Sequence, residues 1–179
     1  MPAAVANRYA RALADVVAST GNYRQVLTEL ENFAAAYRES LELREVCETP
    51  AVPMPQKLKV LELLAGRLGC SPVTLNFLRV LMSHYRFPLL EEILLAFRNV
   101  ADARMGIVRV KITSASDLTR EDQENLRVRF NVLTRKQAEL DFHLDLDLIG
   151  GLVAQIGSTV YDGSIRGRLN RIREQLMES

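Results

Sequence analysis

The sequence predicts a mainly α chain, with an N-terminal helical bundle over residues 1–105 and a small α+β domain over residues 106–179. Three observations predict it. Apolar residues recur at helical spacing from Ala3 to Arg104. The period then shifts, because Ile107, Val108, Val110 and Ile112 form a β-branched, strand-like run directly after Gly106. From there the segments read strand–helix–strand–strand–helix, the order of a small α+β unit.

The helices follow in order. Ala3 to Ser19 places Val5, Tyr9, Leu13 and Val16 at helical spacing, and Gly21-Asn22 ends that helix with residues that tolerate positive φ. Tyr23 to Ser40 carries Val26, Leu30, Phe33 and Tyr37 on one face. Thr49 to Pro55 holds three prolines and cannot be helix interior. Lys57 to Leu68 is amphipathic and stops at Gly69. Ser71-Pro72 reads as an N-cap with proline in the first turn of a helix reaching Tyr85, and Pro88 opens the last long helix of the bundle. The short connections imply that neighbouring helices pack together.

In the second domain, Thr119 with Asp122 resembles a capping box ahead of Leu126, Phe130 and Leu133. Ala138 to Leu148 alternates: Phe142, Leu144, Leu146 and Leu148 share one face, and Asp141, His143, Asp145 and Asp147 share the other. That is a strand with one wet face. Gly150-Gly151 is expected to turn it into a further strand, Leu152 to Val160, so that the two pair as an antiparallel hairpin. Ser164 to Met177 is the final helix. Asp162-Gly163 is expected to form the turn before it, with Ser164 as its cap.

Composition excludes several classes. Net charge is +1, from 23 basic and 22 acidic residues, so bulk electrostatics do not draw the chain to nucleic acid or anionic lipid. No apolar run approaches the roughly 20 residues that cross a bilayer, since Glu91, Glu92 and Arg98 break the richest segment. Arg8, Arg11 and Asp15 interrupt any signal-peptide core, and a cytoplasmic protein is expected. Cys47 and Cys70 form no CxxC pair and read as incidental buried thiols.

An enzyme needs a constellation of reactive groups, and none is found. His84 and His143 lie in different domains, without a carboxylate or thiol partner in sequence reach. Asp141, Asp145 and Asp147 could suggest a cation site. On a strand, however, alternate residues stand roughly 6.5–7 Å apart and point the same way, without the tight loop that calcium sites use. Gly150, Gly151, Gly157, Gly163 and Gly167 fit neither a dinucleotide fingerprint nor a phosphate loop. Turns and close packing explain them better. No catalytic residue, cofactor or metal is expected.

Two features exceed simple bundle packing. The helix from Pro72 to Tyr85 is apolar almost all round, with Asn76, Arg79 and Ser83 as a thin polar stripe. The first helix carries a strip of small residues, Ala6, Ala10 and Ala14. Such a strip either packs internally or gives a partner helix room to approach.

Both ends of the chain carry a family resemblance. The opening Val5-Ala6-Asn7-Arg8-Tyr9-Ala10-Arg11-Ala12-Leu13 is similar to the start of the ATP synthase delta subunit of bacteria, and Asn76-Phe77-Leu78-Arg79-Val80-Leu81 with Tyr85-Arg86-Phe87 resembles its central helix. The end is the more specific match: Gly150-Gly151-Leu152-Val153, Gly157, then Asp162-Gly163-Ser164-Ile165-Arg166-Gly167-Arg168-Leu169. The mitochondrial counterpart of this family is the oligomycin-sensitivity-conferring protein. No transit peptide precedes the first motif, so a bacterial source is expected.

The resemblance implies a non-catalytic stator subunit of the peripheral stalk. Its bundle binds N-terminal segments of alpha subunits, at least one as a helix. Its C-terminal domain meets the ends of the b subunits, at the cytoplasmic side of the inner membrane and without inserting into it. On that implication, Ala6, Tyr9, Ala10, Leu13 and Ala14 with Leu75, Leu78 and Met82 are expected to line the alpha-subunit groove. Gly150, Gly151, Gly157, Asp162, Gly163, Ser164, Arg166 and Leu169 are expected to be structural or to face the b subunits. RNA binding through Arg166, Arg168, Arg171 and Arg173 is the competing class. Against it, residues 1–105 hold 12 basic and 11 acidic residues, the remainder 11 and 11, and no aromatic stacking platform is present.

Overall fold

The computed structural model describes residues 2–167. The chain divides into two compact units, one over residues 1–101 and one from Asp102 onward.

In the first unit the helices are α1 (Pro2–Ala18), α2 (Tyr23–Glu39), α3 (Leu41–Glu48), α4 (Met54–Arg67), α5 (Pro72–Ser83) and α6 (Leu90–Met105), the last running on past the division. Local chemistry sets the ends. Gly21 adopts φ +69° after α1. Proline occupies the first turn of α4 and of α5, where its missing N–H costs nothing. The short α3 spaces Leu43, Val46 and Cys47 at helical intervals on its inner face, and its start is capped by Ser40 Oγ, which accepts from Leu43 N at 3.1 Å. The core gathers Leu30, Phe33, Leu61, Leu81, Phe87, Ile93 and Phe97, all fully buried. Phe87 receives both Phe33 and Tyr37 edge-on, with ring centroids 5.9 and 5.2 Å away.

One cation lies inside this unit. Lys57 is 1% exposed and donates from Nζ to the Cys47 carbonyl at 2.9 Å. That carbonyl belongs to the last turn of α3, where backbone acceptors lack helical partners and favour positive charge.

In the second unit, β1 (Ile107–Ser114), α7 (Arg120–Thr134), β2 (Gln137–Leu144), β3 (Leu152–Ile156) and β4 (Thr159–Asp162) form a four-stranded mixed sheet in the order β2-β1-β3-β4. Val110, Ile112, Phe130, Ala138 and Ala154 make its core. Thr119 and Asp122 complete the capping box of α7, side chain to backbone in both directions.

The expected hairpin between the strands near 140–147 and 151–160 does not form. β2 pairs in parallel with β1, from Ile107↔Gln137 to Ser114↔Leu144, and β3 lies antiparallel on the other side of β1. A strand, a helix and a strand form a crossover that returns the chain in the same direction, so β2 closes onto β1. The long second strand also divides. Ile156 pairs with Thr159 across Gly157-Ser158, with Gly157 at φ +58°, a two-residue hairpin loop. β2 itself ends earlier than its alternation suggests. Asp145 Oδ1 accepts from Asp147 N at 3.0 Å and bends residues 146–148 into a short 3-10 turn. Of the expected final helix, Ser164 to Met177, residues 165–167 are helical; residues 168–177, with Leu169, lie outside the described residues.

Candidate partner-binding groove

The small-residue strip faces inward. Ala6, Ala10 and Ala14 are at most 1% exposed. Their lack of side-chain bulk lets α1 approach its neighbours closely, and Tyr23 Oη donates to the Ala14 carbonyl at 3.3 Å. Leu78 and Met82 of α5 are equally buried. As partner-binding positions, Ala10, Ala14, Leu78 and Met82 are therefore corrected: they fill the bundle and offer no surface. Leu75 is half-buried and does not line the groove described next.

α1 and α5 nevertheless pack side by side, as expected. Between them runs a groove of about 350 Å³, lined by Tyr9, Ala12, Leu13 and Val16 from α1 and by Val73, Asn76, Phe77 and Val80 from α5. Tyr9 and Leu13 are the two expected residues found there. Val16 and Val80 are 57% and 43% exposed, an apolar rim open to solvent. On α1 the side chains that line this groove include the larger apolar series Tyr9, Leu13 and Val16, and none of the strip Ala6, Ala10 and Ala14. On α5 they include Asn76, from the thin polar stripe. A second groove of about 390 Å³ separates α1 from α6, with Ala6 in its wall beside Ala3, Asn7, Glu92, Leu95, Ala96 and Asn99.

The start of α5 is fixed by a buried carboxylate. Glu29 of α2 accepts at Oε2 from Ser71 N at 2.9 Å, Ser71 Oγ at 2.7 Å and Thr74 Oγ1 at 2.5 Å, while Gln25 Nε2 donates to Oε1 at 2.8 Å. Burial by itself raises the pKa of Glu29, but the hydrogen bonds from Thr74, Ser71 and Gln25 outweigh it and hold the group below its ordinary range. Val73, Asn76 and Phe77 follow this anchor within two turns. Beside the groove residue Tyr9, the Arg8 guanidinium lies 6.0 Å from the centre of its ring.

The glycine-rich motif of the second unit is a backbone lock. Gly163 N donates to the Leu152 carbonyl at 3.0 Å, and Ile165 N to the Gly150 carbonyl at 2.9 Å. Gly151, at φ +81°, lies so close to the Gly163 carbonyl that a β-carbon would collide with it. Asp162 Oδ1 accepts from Ser164 N and Ser164 Oγ at 2.9 and 2.7 Å; Ser164 Oγ in turn accepts from Gly167 N at 3.0 Å, the geometry of an N-cap. Gly157 serves the β3–β4 loop, and Arg166 is exposed.

Reactive groups are sparse and scattered. One pairing escaped the sequence reading: His143 Nε2 lies 3.1 Å from Asp141 Oδ2. Alternate residues on one strand face do meet, but both side chains stand in solvent. Burial pushes the Cys47 thiol up to about 11 against the opposing effect of Lys57, and raises that of Cys70 as well. Among the described residues no group of three or more His, Cys, Asp or Glu side chains could hold a metal ion, and no helix is long and apolar enough to cross a membrane.

Comparison with known proteins agrees along the whole chain. The family model for the ATP synthase delta (OSCP) subunit matches residues 5–176. The ATP synthase subunit delta of Acidobacterium capsulatum is 43% identical over 175 residues, covering 97% of this chain and 98% of that protein. That of Myxococcus xanthus is 37% identical over 176 residues, with 97% of each covered. A chain in the cryo-EM structure of the Toxoplasma gondii mitochondrial ATP synthase hexamer superposes with a TM-score of 0.68 at 26% identity, covering 96% of this chain and 97% of that one. The likeness thus spans both units, the helical bundle and the small mixed sheet, and the chain belongs to the ATP synthase delta (OSCP) subunit family.

Proposed function

We propose that this chain is a non-catalytic stator subunit of an F-type ATP synthase, joining the alpha subunits of the catalytic head to the b subunits of the peripheral stalk. The observation that carries this reading is the α1/α5 groove, an apolar cleft between two helices with exposed Val16 and Val80 at its edge. An amphipathic helix buries one apolar stripe, and such a cleft suits it. In this reading the N-terminal segment of an alpha subunit occupies the groove, and the second unit meets the b-subunit ends. The work is mechanical. A subunit that holds the head against an internal rotor needs stable contacts and rigid elements, and no reactive group takes part. Its place is the cytoplasmic side of a bacterial inner membrane, held there by partners.

Isothermal titration of the full chain with a synthetic N-terminal segment of the alpha subunit from the same genome tests the reading. Apolar burial stabilises such a complex at roughly 25 cal/mol per Å² before association costs, so binding is expected to persist at high salt. Failure to bind, together with failure to rebind catalytic heads stripped of their own delta subunit, overturns the proposal.

A further inference from the structure

Asn76 brings an amide into the otherwise largely apolar lining of the α1/α5 groove. It stands in the wall beside Val73, Phe77 and Val80. Its Oδ1 accepts from Arg79 Nη1 at 3.1 Å, and Arg79 Nη2 reaches Glu62 Oε1 at 2.8 Å. Glu62 is on α4, so the chain Glu62–Arg79–Asn76 ties the amide to a neighbouring helix. Arginine donates only, hence the amide atom facing it must be the oxygen. The NH2 group is left with two N–H donors, and no hydrogen bond among the described residues uses them. The ion pair is exposed and contributes little stability. Its consequence is orientation: with Oδ1 engaged by Arg79, the NH2 donors are the part of this groove-lining side chain left without a partner among the described residues.

We propose that Asn76 is a specificity-determining residue of this groove, selecting a docked helix that carries a side-chain oxygen acceptor, amide or carboxylate, within its apolar stripe. The proposal rests on the docking reading above. A helix with only aliphatic side chains at that point would strip water from two N–H groups and return nothing. One with an acceptor there would satisfy them, and the difference discriminates between helices of equal apolar area. The Tyr9 hydroxyl is the other polar group of the lining, and unlike the amide NH2 it can donate or accept.

The test uses the full chain as wild type, Asn76→Asp and Asn76→Leu, titrated with the alpha-subunit N-terminal peptide, with thermal melts run alongside. The carboxylate introduced by Asn76→Asp still accepts from Arg79. That variant is therefore expected to melt like wild type yet bind about tenfold more weakly or worse, because acceptor then faces acceptor. Asn76→Leu is expected to weaken binding as well, although it adds apolar area. A scan of the peptide's polar residues to alanine should reveal one position whose loss weakens wild type but leaves Asn76→Leu unchanged. If Asn76→Leu binds as tightly as wild type or more so, the groove reads apolar area alone and the proposal is wrong while docking stands. If wild type does not bind the peptide, the docking reading and this proposal fall together.

Discussion

The Glu29 carboxylate accepts the Thr74 hydroxyl across 45 residues of sequence, and through it α2 holds the first turn of α5. Thr74 is fully buried and Glu29 is 8% exposed, so this contact lies inside the bundle with no solvent to substitute for it. Because α5 carries half of the groove, the same contact sets where Val73, Asn76 and Phe77 stand relative to α1.

Glu29→Ala is therefore expected to destabilise the N-terminal unit by about 1–3 kcal/mol, the cost of leaving buried donors unpaired. Urea unfolding monitored by helical circular dichroism measures it. The pH dependence follows from the sign of the shift. The folded pKa of Glu29 is held below the ordinary value of 4.5. Its stabilisation is therefore complete above the unfolded value and disappears as pH falls through the lower folded one. The gap between wild type and Glu29→Gln should narrow on acidification below that range and stay constant from neutral pH upward. A gap that widens on acidification would contradict the assignment.

Charge placed on the two faces of α1 separates groove from core. Ala12 is exposed in the groove, whereas Ala10 is 0% exposed inside the bundle. Ala12→Glu is expected to keep wild-type circular dichroism and lose most affinity for the alpha-subunit segment. Ala10→Glu is expected to lose helical signal instead, since an unpaired buried charge cannot be accommodated. A folded Ala12→Glu protein with unchanged binding moves the docking face elsewhere, and the α1/α6 groove becomes the next surface to charge.

Local signals carried much of this fold, and long-range pairing carried the rest. Ser71, Thr119 and Ser164 are caps whose geometry is written in two or three neighbouring residues. The helix spacing around Leu30 and Phe33 is equally local. Strand order is not. Phe142 and Leu144 alternate in the same way whether they pair with β1 or with β3, and only the crossover through α7 decides. The groove was half legible for a similar reason. A stripe of alanines reports close helix approach without saying whether the neighbour belongs to the same chain, and the burial of Ala10 and Ala14 answers that. Glu29 was invisible, because nothing near it in sequence announces a partner at Thr74.

Thiol chemistry should rank the two cysteines. Cys47 is buried, and burial raises its pKa to about 11, so near pH 8 only about one molecule in a thousand carries the thiolate. Cys70 is half-buried and raised too. Alkylation at pH 8 followed by mass spectrometry is expected to modify Cys70 first. Cys47 should react at a rate that tracks unfolding and rises steeply in urea. Equal native-state rates would contradict the burial of Cys47.

The lock of the second unit gives the sharpest contrast between two small substitutions. Ser164→Ala removes one cap acceptor, and the Gly167 amide can turn to water, so a loss of about 0.5–2 kcal/mol is expected. Gly151→Ala adds a single methyl group to a backbone at φ +81°, against the Gly163 carbonyl and the Ser164 α-carbon. Neither neighbour is a flexible side-chain end that could move aside, and the positive φ adds its own strain for an L residue. Gly151→Ala should thus cost more than Ser164→Ala, and the excess should vanish at Gly157, where φ is also positive but a β-carbon meets open space. Chemical denaturation followed by NMR through the resolved backbone amide of Tyr161, which reports on β4, ranks the three variants. If Gly157→Ala proves as damaging as Gly151→Ala, backbone conformation alone governs both sites, and the close crossing of Gly151 over Gly163 contributes nothing to the lock.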